Sequence, residues 1–253
     1  MVVTTEKSVS EAIKYRRSVR VFKNEAIDSQ KVKQCIKLAT LAATSSNMQL
    51  WEFYHIVSPE ILQQLSTASF DQNGAKTANQ MVVVVARKDL WKKRVRSNIA
   101  FLKSQLGNKP ESEYSKREKF ALNYYQKIIP GIYFDVLGIL GILKYIVFQI
   151  IGIFKPIYRE ARQSDMRIVA HKSAGLAAQN FMISMAALNY DTCPMEGFDS
   201  LRVKKILHLP SSSEINMIIG CGIREETEFM ENVLESHLKK FILNYKSESK
   251  NYF

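Results

Sequence analysis

Residues 81–87 read MVVVVAR, and this stretch restricts the chain most. Six apolar side chains follow one another without the polar alternation of a half-exposed strand, so the run reads as a buried strand. INMIIGCGI (215–223) reads as a second one, and LWEFYHIV (50–57) as a third. In the third, Trp51, Phe53 and His55 lie on one side and Glu52, Tyr54 and Ile56 on the other. Helical patterns separate these strands. Ser8 and Glu11 form a capping box for a short helix with Val9, Ala12 and Ile13 on its apolar face, running to about Arg16. A second helix starts near Asp28, carries Val32, Cys35, Ile36, Ala39 and Ala43 at helical spacing, and ends in TSSNMQ. HKSAGLAAQNFMISMAALNY (171–190) is a long helix rich in small residues. Strands mixed with helices and few hairpin signals give an α+β or α/β fold.

Composition bounds the rest. In 253 residues, 46% hydrophobic and 24% charged residues can build a sizeable core, with disorder confined to the tail. Lys and Arg outnumber Asp and Glu by 36 to 24, and the net charge of +12 suits an anionic partner: nucleic acid, a membrane surface or a phosphorylated small molecule. Cys35, Cys193 and Cys221 form no CxxC pair, which argues against a disulfide framework or a metal site. The N-terminal MVVTTEKSVS has no signal-peptide core, so a cytoplasmic location is expected. GxGxxG, Walker and HExxH signatures are missing.

The segment 98–163 stands apart. A polar stretch, LGNKPESEYSKREKF, precedes GIYFDVLGILGILKYIVFQIIGIFKP. On a helical wheel Asp135, Gly138, Gly141, Tyr145, Gln149 and Gly152 form one small-or-polar stripe amid Ile, Leu, Val and Phe. A helix of this kind packs closely along its glycine side. Residues 131–157 thus read as a lid, a dimer element or a peripheral membrane contact.

Four stretches carry candidate chemistry: RRSVR (16–20), SSNMQLWEF (45–53), NGAK (73–76) and CPMEGFD (193–199). Arginine forks two donors onto phosphate oxygens and keeps its charge. Gly197 permits close backbone approach to a ligand. Each stretch also has a plain structural reading: a solvated helix end, a helix C-cap loop, a surface turn and a strand-entry turn. The histidines, His55, His171, His208 and His237, show no ligand spacing.

In order and spacing these stretches resemble the nitroreductase family of FMN-dependent oxidoreductases, over about 1–90 and 165–225, with 98–163 as a variable helical insertion. Leu50 stands where the family usually has Pro. The resemblance implies a single domain over 1–253: a three-layer sandwich with a central mixed or antiparallel sheet, flanked by helices, in a domain-swapped homodimer. It implies FMN bound by Arg16, Arg17, Ser18 and Arg20 around the phosphate, ribityl and pyrimidine end. Ser45, Ser46, Asn47 (with Met48) and Gln49 would reach the flavin of the opposite subunit. Asn73 and Lys76 would lie at the ring and ribityl oxygens, and Pro194, Met195, Glu196 and Gly197 near N5. Arg224 is the candidate for completing the phosphate clamp.

The resemblance further implies hydride transfer from NADH or NADPH to a small-molecule acceptor, a nitroaromatic, quinone or enone, by ping-pong chemistry. The flavin carries that chemistry. No side chain acts as a catalytic acid, base or nucleophile; only the backbone of Glu196 and Gly197 assists. No metal and no nucleic acid is implied. Residues 131–157 would form a lid favouring an apolar acceptor such as a quinone. A specialised branch performing flavin destruction or reductive dehalogenation is the alternative within the fold. A non-enzymatic basic protein binding membrane or nucleic acid is the alternative outside it.

Overall fold

The computed structural model describes residues 6–136 and 138–225; His237 and the tail expected to be disordered lie outside them. The helices are α1 (Val9–Tyr15), α2 (Ser29–Ala39), α3 (Pro59–Ala68), α4 (Asn73–Lys76), α5 (Trp91–Leu106), α6 (Lys116–Asn123), α7 (Ile129–Tyr133), α8 (Ile139–Phe154), α9 (Gln163–Ala187) and α10 (Ser200–Ile206). The strands are β1 (Trp51–Ile56), β2 (Gln80–Ala86), β3 (Asp191–Met195) and β4 (Glu214–Gly222).

The apolar run becomes the interior strand. The sheet order is β1-β2-β4-β3 and every pairing of these strands is antiparallel. All seven residues of β2 are buried. Its alternate side chains feed two cores. Val82, Val84 and Ala86 pack with Trp51, Ile219 and Cys221 beneath α2 and α9. Met81, Val83 and Val85 pack with Cys193, Met195 and Ile218 on the other face, where α3 and α10 meet. Helices therefore cover both faces and the molecule has three layers, as expected for a strand buried on both sides. A parallel bridge from Ser18 to Thr192 sets the 16–20 segment against β3, the one parallel pairing among the described residues.

The capping box at Ser8 and Glu11 and the Asp28 cap are present. Several boundaries differ from expectation. The second helix stops at Ala39, so Ala43 is not on its face. The long helix begins at Gln163, eight residues early, because Arg162 and Asp165 cap it; His171 lies well inside it. NGAK is a four-residue helix with Gly74 and Ala75 buried, not a surface turn. CPMEGFD does not merely enter a strand: its first residues belong to β3, where Pro194 is tolerated because the strand lies at the sheet's edge.

The insertion is mostly helical. α5 and α7 pack together, and a π-helical turn at Tyr124–Ile128 runs directly from α6 into α7. α8 has its own surroundings. A Cβ at Gly141 would approach the backbone of Arg162 and Gln163 at 3.3 Å, and one at Gly152 would clash with the Arg159 guanidinium. Arg159 donates to Gln149 Oε1 at 2.6 Å, and Arg162 lies 4.5 Å from the Tyr145 ring centroid. The predicted glycine stripe is thus the face α8 packs on the 159–163 segment. Among the described residues no helix is long and apolar enough to cross a membrane.

Candidate active site

Three of the four candidate stretches converge at the β3 edge of the sheet. The amide of Val19 donates to the Thr192 carbonyl at 3.1 Å, laying 16–20 along β3. The Phe22 amide donates to Thr77 Oγ1, and that hydroxyl donates to the Asn73 carbonyl at 2.7 Å. These bonds tie the strip after the arginines to α4. α4 lies close to β3: a Cβ on Gly74 would sit 2.8 Å from Cys193 Sγ. Gln72, just before α4, donates from Nε2 to the Gly197 carbonyl at 2.6 Å.

The charges in this corner differ in availability. Among the described residues Arg16 and Arg20 make no ion pair or side-chain hydrogen bond. Arg20 is exposed, as are Asn73 and Lys76. Arg17 instead donates to the carbonyls of Lys14 and Arg16, closing the C-terminus of α1. Burial pushes the Cys193 thiol up, and the charge of Arg20 works against that shift.

Arg224 is committed inward. Its Nε and Nη2 donate to Asp191 Oδ1 at 2.9 and 2.5 Å, Nη2 also reaches the Tyr15 carbonyl, and its backbone amide donates to Asp191 Oδ2. Asp191 is almost fully buried, so this ion pair fastens 224 and α1 to the start of β3. Burial, then the Asp191 charge, raise the Tyr15 hydroxyl above its ordinary range. Arg224 therefore positions the corner and does not present a free cation.

At the strand exit, Met195 points into the core, so only its main chain faces outward. Glu196 and Gly197 lie past the last ladder pair, Met195–Ile218, and are exposed. Thr192 Oγ1, beside Ser18, is buried and has no hydrogen-bond partner among the described residues. Two unpaired guanidiniums, exposed strand-exit amides and a glycine at close approach suit an anionic ligand with a polar-edged ring.

The fourth stretch lies elsewhere. Ser45–Asn47 form a 3-10 turn leading into β1, at the opposite edge from β3. Three inter-strand steps separate those edges, about 14 Å. Ser46, Asn47 and Gln49 have φ of 52°, 49° and 48°, a left-handed conformation costing about 1–2 kcal/mol for most residues. The insertion holds the first two there. The Tyr124 hydroxyl meets Ser46 Oγ at 2.7 Å, Tyr125 donates to the Ser46 carbonyl at 3.0 Å, and Asn98 donates to the Asn47 carbonyl at 3.1 Å.

Sequence reasoning missed these three residues and Gln72. Nothing in the sequence marks Tyr124, Tyr125 or Asn98, since they lie in the variable insertion; Gln72 adjoins a recognised motif. His55 meets Gln80 Oε1 at 2.7 Å; His171 meets Glu214 and Asn216, each at 3.1 Å. Among the described residues no cluster of His, Cys, Asp or Glu could hold a metal ion.

A fold of three layers with a motif-lined sheet edge agrees with comparison to known proteins. Residues 13–223 match the nitroreductase family, and the chain belongs to that family. It is 25% identical over 217 residues to the protein DrgA of Synechocystis, covering 85% of this chain and 84% of that one. It is similar in structure to a protein of Exiguobacterium sibiricum solved in complex with FMN (TM-score 0.64, 20% identity, 96% of this chain and 99% of that one). It is also similar to CLA-ER, an enone reductase of gut-bacterial fatty acid saturation (TM-score 0.67, 15% identity, 95% and 100%).

Proposed function

We propose that this protein is an FMN-dependent NAD(P)H oxidoreductase of nitroreductase type, acting as a homodimer. The carrying observation is the convergence of 16–20, 72–76 and 194–197 around β3, held by the Gln72–Gly197 and Phe22–Thr77 hydrogen bonds. FMN, when bound, supplies hydride transfer between a reduced nicotinamide and a nitroaromatic, quinone or enone acceptor.

The chain's own residues bind and orient. Arg16 and Arg20 neutralise the phosphate and the negative charge at the pyrimidine edge, with Ser18 donating beside them. Asn73 and Lys76 supply further polar contacts, and the amides of Glu196 and Gly197 donate at the ring's reactive edge. Arg224 braces this corner through Asp191. No side chain is required to gain or lose a proton.

The sheet's width supports the homodimer. Ser45, Ser46, Asn47 and Gln49 lie at the edge opposite the arginines, so one site uses both sets only when two copies combine them. Strained backbone held by Tyr124 and Tyr125 is what a pre-shaped contact loop requires. The insertion, through α5 and the Tyr124–Ile128 turn, acts as the loop's buttress.

Purified protein is expected to be yellow, with one FMN per chain, and to sediment as a dimer. Anaerobic NADH or NADPH should bleach the flavin and a quinone or nitroaromatic should restore it. A colourless protein that takes up no added FMN would overturn the cofactor, and a monomer holding FMN would overturn the shared site.

A further inference from the structure

α8 leaves an unusual surface. Ile142, Leu143, Ile146, Ile150, Ile153 and Phe154 are each at least half exposed, Ile153 and Phe154 at 75% and 82%. At 100° per residue they occupy an arc of about 120° with no polar side chain inside it. The opposite face is already used by the 159–163 segment. Lys144, the helix's one charge, turns away from the arc and donates to the carbonyls of Gly131, Ile132 and Phe134. Phe134 and Val136, both exposed, extend the apolar surface beyond the helix.

The segment that carries this helix is one-sided in charge. Residues 91–162 hold fourteen Lys and Arg against five Asp and Glu, a net +9 of the chain's +12. Lys127, Lys155 and Arg162 are exposed before and after the apolar helix. An apolar arc set in a cationic segment is the pattern of a helix lying in the plane of an anionic bilayer. The alternative cover, the same face of a second copy, would bring two +9 segments together. At 16 residues the helix is about 24 Å long, too short to cross a bilayer core of about 30 Å and suited to lying in its surface.

We propose that α8 is a membrane-docking helix that seats this protein on anionic lipid, with its apolar arc among the acyl chains and the surrounding Lys and Arg on the headgroups. This docking is independent of the flavin chemistry. It would place the enzyme where lipid-dissolved acceptors are concentrated.

The test is co-sedimentation of the full-length protein with vesicles of phosphatidylglycerol and phosphatidylcholine, and with phosphatidylcholine alone. Binding to the anionic vesicles is expected, weaker by at least about tenfold on neutral vesicles or at high salt. The double variant Ile146→Asp/Ile150→Asp should lose more than about tenfold of the remaining affinity, with unchanged circular dichroism. Lys127→Glu/Lys155→Glu, at exposed positions that leave the apolar arc intact, should weaken anionic binding without affecting the fold. No binding to either vesicle overturns the proposal, as does equal binding to both. A face variant that shifts only the sedimentation of the free protein also overturns it, because a second copy would then be what covers α8.

Discussion

Gln72 Nε2 donates to the Gly197 carbonyl at 2.6 Å, joining residues 125 apart in the chain. The same amide group donates to the Ser69 carbonyl at 2.9 Å, so one side chain fixes the strand exit against the turn before α4. Gln72→Ala should leave the fold intact and loosen the Glu196–Gly197 backbone. One hydrogen bond contributes about 0.5–1.5 kcal/mol, so FMN affinity should fall by a factor of about 2–13 in a fluorescence titration. Unchanged affinity would remove Gln72 from the site.

Arg16→Ala and Arg20→Ala should each weaken FMN more strongly, by about 1.5–3 kcal/mol if the contact is charged and bidentate. Arg17→Ala should do less, because that side chain is engaged with the carbonyls of Lys14 and Arg16. Flavin dissociation constants for the three variants, measured side by side, check the order. A larger loss at Arg17 than at Arg16 would reverse the assignment.

Gly220 lies on β4 where the Gly74 carbonyl passes, and an added Cβ there would fall well inside van der Waals separation from that oxygen. The obstacle is backbone, which cannot swing aside. Gly220→Ala should therefore cost about 1–3 kcal/mol, and thermal unfolding should occur about 2–4 °C lower for each of those kilocalories. A variant melting at the wild-type temperature would show that α4 is not held against the sheet.

The start of α9 gives a pH signature. Hydrogen bonds from Arg162 hold the buried Asp165 carboxyl below its ordinary range, although burial opposes this. A lowered carboxyl stabilises the fold above its unfolded value, about 3.9, and that contribution is lost as pH falls through the folded value. Asp165→Asn should melt about 2–4 °C below wild type at neutral pH, corresponding to about 1 kcal/mol for a weakened cap. The two melting curves should converge as pH drops below about 4. A gap independent of pH would assign the effect to shape and not to charge.

Residues 81–86 announced the interior strand because burial on both faces leaves no polar position to write. Trp51 and Phe53 announced their side of β1 in the same way. β3 did not stand out, since five residues containing a proline carry little period-two signal, and Pro194 fits only because the strand is an edge. The helical character of 98–163 was legible, but not where α5 meets the core, since that charge-dense helix buries Val95 alone. The arginines, the Asn47 loop and the Glu196–Gly197 exit were legible as motifs. Their division between opposite sheet edges was not, because it depends on the order β1-β2-β4-β3, a long-range fact that no local pattern encodes. Arg224 looked like a free cation for a similar reason: Asp191 lies 33 positions away in sequence.

The three cysteines are all buried, one in the β3-side core and two beneath α2 and α9. Burial pushes Cys35 up to about 12 and raises Cys221 further still. A thiol so placed is both unreachable and un-ionised at neutral pH, and alkylating agents attack the ionised form. Native protein should therefore be silent to such reagents, and each modified molecule records one excursion out of the folded state. The rate of thiol labelling thus becomes a clock for core opening. It needs no engineered reporter, and it can be read separately for Cys193 and for the Cys35 and Cys221 side by mass spectrometry.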